Sequence, residues 1–314
     1  MDGSGAGKSA CYIKPNILQC LGSYVITDPK GELYRETSGY LKANGYEVRA
    51  FNLVNPEYSD RYNPLAHIID HQSVDVIAHT IVMGTKKEGA ASSDPFWDET
   101  AKMLLKAAIY YVISVLPEEE QNFAVVGEML RAGKPKEDDE DYESPLDILF
   151  KKLEYRNPDH IAVKYYKDYH SGAGRTLKSI QVTLSSKLEK FNLDEIANLT
   201  MTDEMELDRL GEEKIAVFAV IPDTYTSYNF LVSILYTQIF QNAFYRADNN
   251  YRGALPVPIH FLMDEFANVA LPDDFDKILS VMRSRNVFVS IILQNISQLK
   301  ALFEKQWESI VRKL

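Results

Sequence analysis

Within its first nine residues the chain carries Gly3-Ser4-Gly5-Ala6-Gly7-Lys8-Ser9, and a loop of this kind constrains whatever folds around it. Closely spaced glycines let successive backbone N–H groups turn inward around a phosphate. The lysine reaches the β- and γ-phosphates, and the serine hydroxyl holds Mg2+. Such a loop joins a buried strand to a helix. The helix has room to follow, from Lys8 to about Cys20, with Pro15 kinking or ending it. No strand precedes the loop in this sequence. The full spacing G-x-x-x-x-G-K-[ST] puts a glycine at position 2, where this chain has Asp2, a carboxylate that repels phosphate. A glycine-rich tail that spells the motif by chance is the competing reading, so the loop needs independent support.

Support comes from Ile259-His260-Phe261-Leu262-Met263-Asp264-Glu265, an apolar strand ending in two carboxylates. An acid at such a strand end orients Mg2+ and its waters, and a neighbouring carboxylate accepts a proton from the attacking water. Asp264 is assigned the first role and Glu265 the second. A helix N-cap would explain one acid but leaves the strand context a coincidence. A third apolar run, Val287 to Leu293, ends in Gln294, where a γ-phosphate sensor would sit. Before it, Arg283-Ser284-Arg285 closes a helix. These arginines either complement the helix C-terminus, or one of them reaches across a subunit boundary to a neighbour's ATP.

Further strands are expected at Ser23 to Thr27, Glu47 to Leu53 and Lys214 to Ile221. Lys214 to Ile221, like the runs Ile259 to Met263 and Val287 to Leu293, is rich in Val, Ile and Phe with little polar alternation, as strands covered on both faces require. Helical patterns at Glu32 to Asn44, Tyr228 to Ala247 and Asp274 to Ser284 alternate with them, which argues for a parallel α/β sheet. From Asp94 to Thr202 the rhythm breaks. Asp94-Pro95 is a helix start, helical periodicity recurs in Phe123 to Arg131, Pro145 to Tyr155, Ile161 to Tyr169 and Thr176 to Phe191, and no strand intervenes. The expected layout is a nucleotide-binding domain over 1–93 and 203–314, incomplete at both ends, with an all-α domain inserted at 94–202.

Charge and composition narrow the partners. The net charge of −11 comes from 45 acids against 34 bases, which excludes indiscriminate coating of nucleic acid. Between Glu118 and Asp159 lie 13 acids and 6 bases, so −7 of that total sits mostly in the insertion, including the run Glu137 to Asp141. Cys11 and Cys20 are too few for a disulfide framework, and the histidines, with His67 and His71 four apart, lack a third metal ligand. The longest apolar stretch, Met103 to Leu116, is too short to cross a bilayer and contains Lys106. Ser171-Gly172-Ala173-Gly174-Arg175-Thr176 imitates a second phosphate loop but follows a helical pattern, so a helix–glycine–helix turn is the better account. Nearby Lys164, Lys167, Arg175, Lys178 and Lys187, with Tyr165, Tyr166 and Tyr169, form a nucleic-acid-contacting face or simply a solvated one.

Taken together, these motifs resemble the type IV secretion coupling proteins, ATPases that feed DNA into conjugative transfer channels. The resemblance rests on Gly3–Ser9, Thr27-Asp28-Pro29-Lys30-Gly31-Glu32, Ser93-Asp94-Pro95-Phe96-Trp97, Phe218 to Asp223, Met263-Asp264-Glu265-Phe266-Ala267-Asn268, and Arg283 through Gln294, all in the expected order. It implies a RecA-like P-loop NTPase sheet with an inserted all-α domain, using ATP and Mg2+. It also implies a homo-hexamer with ATP at subunit interfaces and single-stranded DNA, delivered with its relaxase and relaxosome, in a central channel. The partners would include components of the secretion channel, and the place of action the cytoplasmic side of the bacterial cell membrane. Family members also carry membrane helices and a strand before the phosphate loop, and further strands after the sensor. The chain therefore reads as an excerpt in which the strand ending at Gln294 has an unpaired edge. A catalytically inactive remnant whose all-α domain acts only as a protein-binding module is the alternative. A hexameric secretion motor that does not handle DNA fits the Asp28 and Asp264 motifs less well.

Overall fold

The computed structural model describes residues 7, 9–84, 95–133, 142–171, 174–222, 228–264, 266, 275–303 and 306–314. The chain divides into two compact units, one formed by Met1–Asp60 with Glu204–Leu314 and the other by Arg61–Asp203.

The first unit is built on a five-stranded sheet in the order β2-β3-β1-β4-β5, with β1 at Ser23–Asp28, β2 at Glu47–Asn52, β3 at Ile215–Val220, β4 at Ile259–Met263 and β5 at Val287–Ile291. Every pairing is parallel. A parallel sheet must be covered on both faces, and the strands at its centre carry the apolar runs that this demands. All six residues of β1 and of β3 are buried. On one face, Tyr24, Ile26, Phe218 and Leu262 pack with Ile13 and Ile17 from the segment after the glycine-rich loop, and with Leu33 and Leu41 of α2 (Glu32–Ala43). On the other face the long helix Asn229–Asn250 lays Phe240 flat on Phe261 of β4, ring centroids 4.4 Å apart. Its Tyr236 hydroxyl hydrogen-bonds Thr27 of β1 at 2.6 Å. The edge strands are less covered. β5 has a single fully buried residue and stands at the end of the strand order among the described residues.

Pro15 was expected to kink or end this helix, and it stands instead in the first α-helical turn. Lacking an N–H, it cannot continue the hydrogen-bond ladder from the preceding turn. The chain runs as a π-helical turn over Ser9–Ile13 and becomes α-helical only in α1, Lys14–Leu18, where proline occupies the tolerated first positions. The strands end within one or two residues of their expected limits.

The second unit is helical throughout its described residues: α3 (His71–Gly84), α4 (Pro95–Val115), α5 (Phe123–Ala132), α6 (Pro145–Arg156), α7 (Ile161–His170), α8 (Gly174–Lys187) and α9 (Asp194–Met201). α4 runs through its middle, packing on α3, α5, α7 and α8. α6 begins with a capping box in which Ser144 and Asp147 satisfy each other's backbone N–H. α3, for which no helix was expected, falls in this unit. After the Asn229–Asn250 helix, α10, the first unit is completed by α11 (Phe275–Met282), α12 (Ile296–Leu302) and α13 (Trp307–Lys313).

Where β1 starts beside β4, the backbone admits only glycine. A Cβ added at Gly22 would lie 2.3 Å from the carbonyl oxygen of Pro258, which accepts the Ser23 N–H at 2.8 Å. Gly22→Ala should therefore force the central strands apart and lower stability by about 1–3 kcal/mol. Gly39→Ala, in the open on α2 with nothing within 4 Å of its Cβ position, should instead raise stability by about 0.5–1 kcal/mol. Thermal unfolding of the two variants beside the parent checks both signs.

Candidate functional site

In an open parallel sheet, ligands bind beyond the carboxyl ends of the strands, and there Ser9 and Asp264 meet. Ser9 opens the helical segment that packs on the sheet, and Asp264 directly follows β4. The Ser9 hydroxyl donates to Asp264 Oδ2 at 2.5 Å, across 255 residues of sequence. Ser9 is half-buried and Asp264 is buried, 8% exposed. Gly7 leads into this contact with φ +68°, a backbone region that glycine enters freely, and its carbonyl accepts the Cys11 N–H at 2.7 Å. The chain beyond Asp264 stays beside β5, because Phe266 N–H donates to Ile292 O at 3.2 Å and Ile292 N–H to Met263 O at 3.0 Å. Gln294 therefore sits at the same edge. It is exposed, and its backbone N–H is held by the side chain of Gln298 at 3.0 Å.

A hydroxyl and a carboxylate that converge on one small volume are the oxygen donors a hard cation such as Mg2+ takes, in a site where it keeps waters and phosphate oxygens as its other ligands. The described residues contain no cluster of three or more His, Cys, Asp or Glu. Gly3, Ser4, Gly5, Ala6, Lys8 and Glu265, all assigned from the sequence, lie outside the described residues.

The two candidate arginines are sharply different. Arg285 grips Asp248 of α10 with two prongs, Nε to Oδ1 at 3.0 Å and Nη2 to Oδ2 at 2.7 Å, and its guanidinium lies 5.1 Å from the Phe244 ring centroid. Arg283 is exposed, and no hydrogen bond or ion pair of its side chain is recorded among the described residues. Both precede β5, at the end of the sheet opposite Asp264. The five residues of β5 alone span about 16 Å, further than an arginine side chain extends.

One buried acid at this edge escaped the assignment of roles. Asp28 ends β1, in register one step beyond the Thr27–Met263 pair, so it stands beside Asp264 on the neighbouring strand. It is 2% exposed, and its Oδ2 accepts the Tyr34 N–H of α2 at 2.8 Å. Burial raises its pKa above the ordinary carboxylate value, and the amides of Tyr34, Leu33, Lys30 and Glu32 pull it back down. Its place before Pro29 and Gly31 marked a strand stop, while the helix start it serves lies several residues on and gave no capping signal.

The basic face considered for the insertion is largely engaged within its own unit. Lys167 pairs with Glu154 at 2.6 Å, Lys164 with Asp159 at 3.6 Å, and Lys187 Nζ donates to Val82 O at 2.5 Å. Tyr165 stacks on Tyr110, Tyr166 on Phe150, and the Tyr169 hydroxyl donates to Leu177 O at 2.9 Å. His67 pairs with Asp203 at 2.8 Å and His71 with the Tyr110 hydroxyl at 2.8 Å, so neither is positioned as part of a shared metal site. Cys11 and Cys20 are free thiols. No described helix is long and apolar enough to cross a membrane.

The first unit, with its parallel sheet and helices, is of the α/β class, and the second is all-α. The family model for type IV secretory system conjugative DNA transfer matches residues 1–310, and the chain belongs to that family, whose coupling proteins act at the cytoplasmic side of the cell membrane. No curated protein matches it in sequence. Among solved structures it is similar to the bacterial conjugative coupling protein TrwBΔN70 in its unbound monoclinic form, with TM-score 0.58, 13% identity, and coverage of 96% of this chain and 68% of that one. It is similar also to TrwB with the ATP analogue ADPNP, with TM-score 0.57, 13% identity and coverage of 95% and 70%. A third is TrwB with ADP and Mg2+, with TM-score 0.56, 14% identity and coverage of 95% and 69%.

The raised pKa of Asp28 has a consequence for stability. Between the ordinary carboxylate pKa and the raised one, the folded state holds a proton that the unfolded state has released. Stability therefore falls as pH rises through that window. Asp28→Asn keeps an acceptor for the Tyr34 N–H and removes the titration. Melting curves across the acid range should show a flatter pH dependence for the variant. An unchanged slope would place the titration elsewhere.

Proposed function

We propose that this chain is the ATP-driven DNA translocase core of a type IV conjugative coupling protein. It binds ATP with Mg2+ at the edge where Ser9 meets Asp264 and delivers single-stranded DNA with its relaxase to the secretion channel. The single observation that carries the reading is the Ser9–Asp264 hydrogen bond. It joins the two sequence motifs that were assigned separately to one metal–phosphate site. The nucleotide complexes of TrwB, whose fold this chain shares, support ATP and Mg2+ as the ligands.

In this reading the glycine loop from Gly3 to Gly7 wraps the phosphates with backbone N–H groups, and Lys8 contacts the β- and γ-phosphates. Ser9 Oγ and Asp264 would hold Mg2+, which supplies charge neutralisation at the phosphate oxygens. To do so Ser9 must turn its proton away from Asp264, since a lone pair, not the O–H, faces a cation. Glu265 accepts the proton of the attacking water. Gln294, carried on the rigid end of β5, hydrogen-bonds the γ-phosphate and reports its loss. Arg283 stabilises charge on the ATP of an adjacent subunit in a homo-hexameric ring. Its position at the far end of β5 removes it from its own subunit's site, and of the two arginines it is the one whose side chain is exposed and unpaired among the described residues. Arg285 is held by Asp248 and Phe244.

Three variants of the intact protein test these roles. Glu265→Gln should bind ATP with little change yet lose turnover by about 10²-fold or more, and undiminished hydrolysis would sink the base assignment. Ser9→Ala should weaken nucleotide binding only when Mg2+ is present, read by titrating fluorescent ATP with and without EDTA. Lys8→Ala should abolish saturable binding of that probe, and a chain whose binding ignores Lys8 would point to the inactive-remnant reading instead.

A further inference from the structure

We propose that Asp248 is a positioning residue for Arg283: it clamps Arg285, and through Arg285 fixes the turn from which Arg283 projects. The inference rests on the proposed action of Arg283 on a neighbouring subunit's ATP. The 3-10 turn Arg283–Arg285 lies between α11 and β5, and almost every group in it is tied down. Arg283 O accepts the Asn286 N–H at 3.2 Å, and Asn286 closes the turn with φ +66°. Ser284 Oγ donates to Val281 O at 2.8 Å. Arg285 O accepts the Leu255 N–H at 3.2 Å, and the Asn286 side chain returns a bond to Leu255 O at 3.0 Å. The Arg285 side chain adds a third tether to Val281 O at 3.0 Å besides its two bonds to Asp248. In the whole turn, the Arg283 side chain is the group left exposed without a recorded partner among the described residues.

Asp248 transmits rigidity rather than charge. A two-pronged carboxylate–guanidinium bond fixes orientation as well as distance. Asp248 belongs to α10, whose Phe240 stacks on Phe261 of β4, the strand directly followed by Asp264. The clamp thus refers the position of Arg283 to the same rigid sheet that positions the metal ligands. A cation that must meet a charge on another subunit gains from such preorganisation, because displacements near 1 Å cost roughly 10²-fold in rate.

The test uses the intact oligomeric protein and its ATP turnover. Asp248→Ala should lower kcat by about tenfold or more with KM for ATP unchanged, while its melting temperature stays near that of the parent. Asp248→Glu, which keeps a carboxylate, should recover most of the loss, and Arg285→Lys, which keeps the charge but not the fork, should reproduce the defect. Mixing Asp248→Ala subunits with Lys8→Ala subunits should restore turnover above either alone. Mixed rings contain interfaces where an intact phosphate loop faces an intact clamp. Parental kcat in Asp248→Ala, in the same assay where Arg283→Ala is inactive, overturns the clamp and spares the role of Arg283. So does a raised KM at parental kcat, or a mixture no more active than its parts. Parental turnover by Arg283→Ala itself overturns the trans-arginine reading and the clamp with it.

Discussion

The parallel register of β1 with β4 is the constraint on which the site depends. Ser23 opposes Ile259 and Thr27 opposes Met263, so both strands end at one level and release Asp28 and Asp264 side by side. Because the pairing is parallel, the carboxyl ends of all five strands share one edge, and loops leaving that edge can meet although hundreds of residues separate them. The hydrogen bond from Ser9 to Asp264 spans 255 positions because the helical segment after Ser9 packs Ile13 and, from α1, Ile17 on the same face as Ile26 and Leu262. A slip of one residue between β1 and β4 would turn Leu262 to the other face and carry Asp264 away from Ser9. The glycine at position 22, closed off by Pro258, guards that register at the start of the strands.

Much of this was legible in the sequence, for a physical reason. Strands buried on both faces must be apolar without alternation, and Ile259–Met263 and Ile215–Val220 announce themselves in that way before any contact is known. The acid after Met263 is legible because a charged group directly after a buried run must lie at the sheet's edge. The clamp between Asp248 and Arg285 was not legible, since its partners lie 37 residues apart on elements with no shared pattern. The capping role of Asp28 was hidden similarly, by a turn that inserts Pro29, Lys30 and Gly31 before the helix it serves. In the helical unit, α3 does carry a start signal, since Asp70 stands just before it and its Oδ1 accepts the Ser73 N–H at 2.8 Å. A lone Asp is a weak mark in a sequence, and packing on α4 completes the helix.

Charge in the helical unit shows why composition is a poor guide to partners. A run of lysines and tyrosines in sequence looks like a nucleic-acid face, yet Lys164 and Lys167 have acids beside them and Tyr165 and Tyr166 spend their ring faces on Tyr110 and Phe150. An exposed ion pair adds little stability, but it does neutralise the long-range field by which a basic surface attracts phosphate. A DNA-contacting role for this face would require those pairs to be exchanged for phosphates. Among the described residues, the groups proposed to handle nucleotide lie in the sheet-bearing unit.

The arrangement along β5 suggests how such a subunit couples to its neighbour. One end of the strand carries Gln294 toward the Ser9–Asp264 edge, and the other end is anchored by a turn that displays Arg283. A five-residue strand in a packed sheet is stiff, so a displacement imposed at one end is passed on rather than absorbed. In the proposed ring, loss of the γ-phosphate felt at Gln294 and withdrawal of Arg283 from the adjacent site become two ends of one lever, with β4 as its bearing.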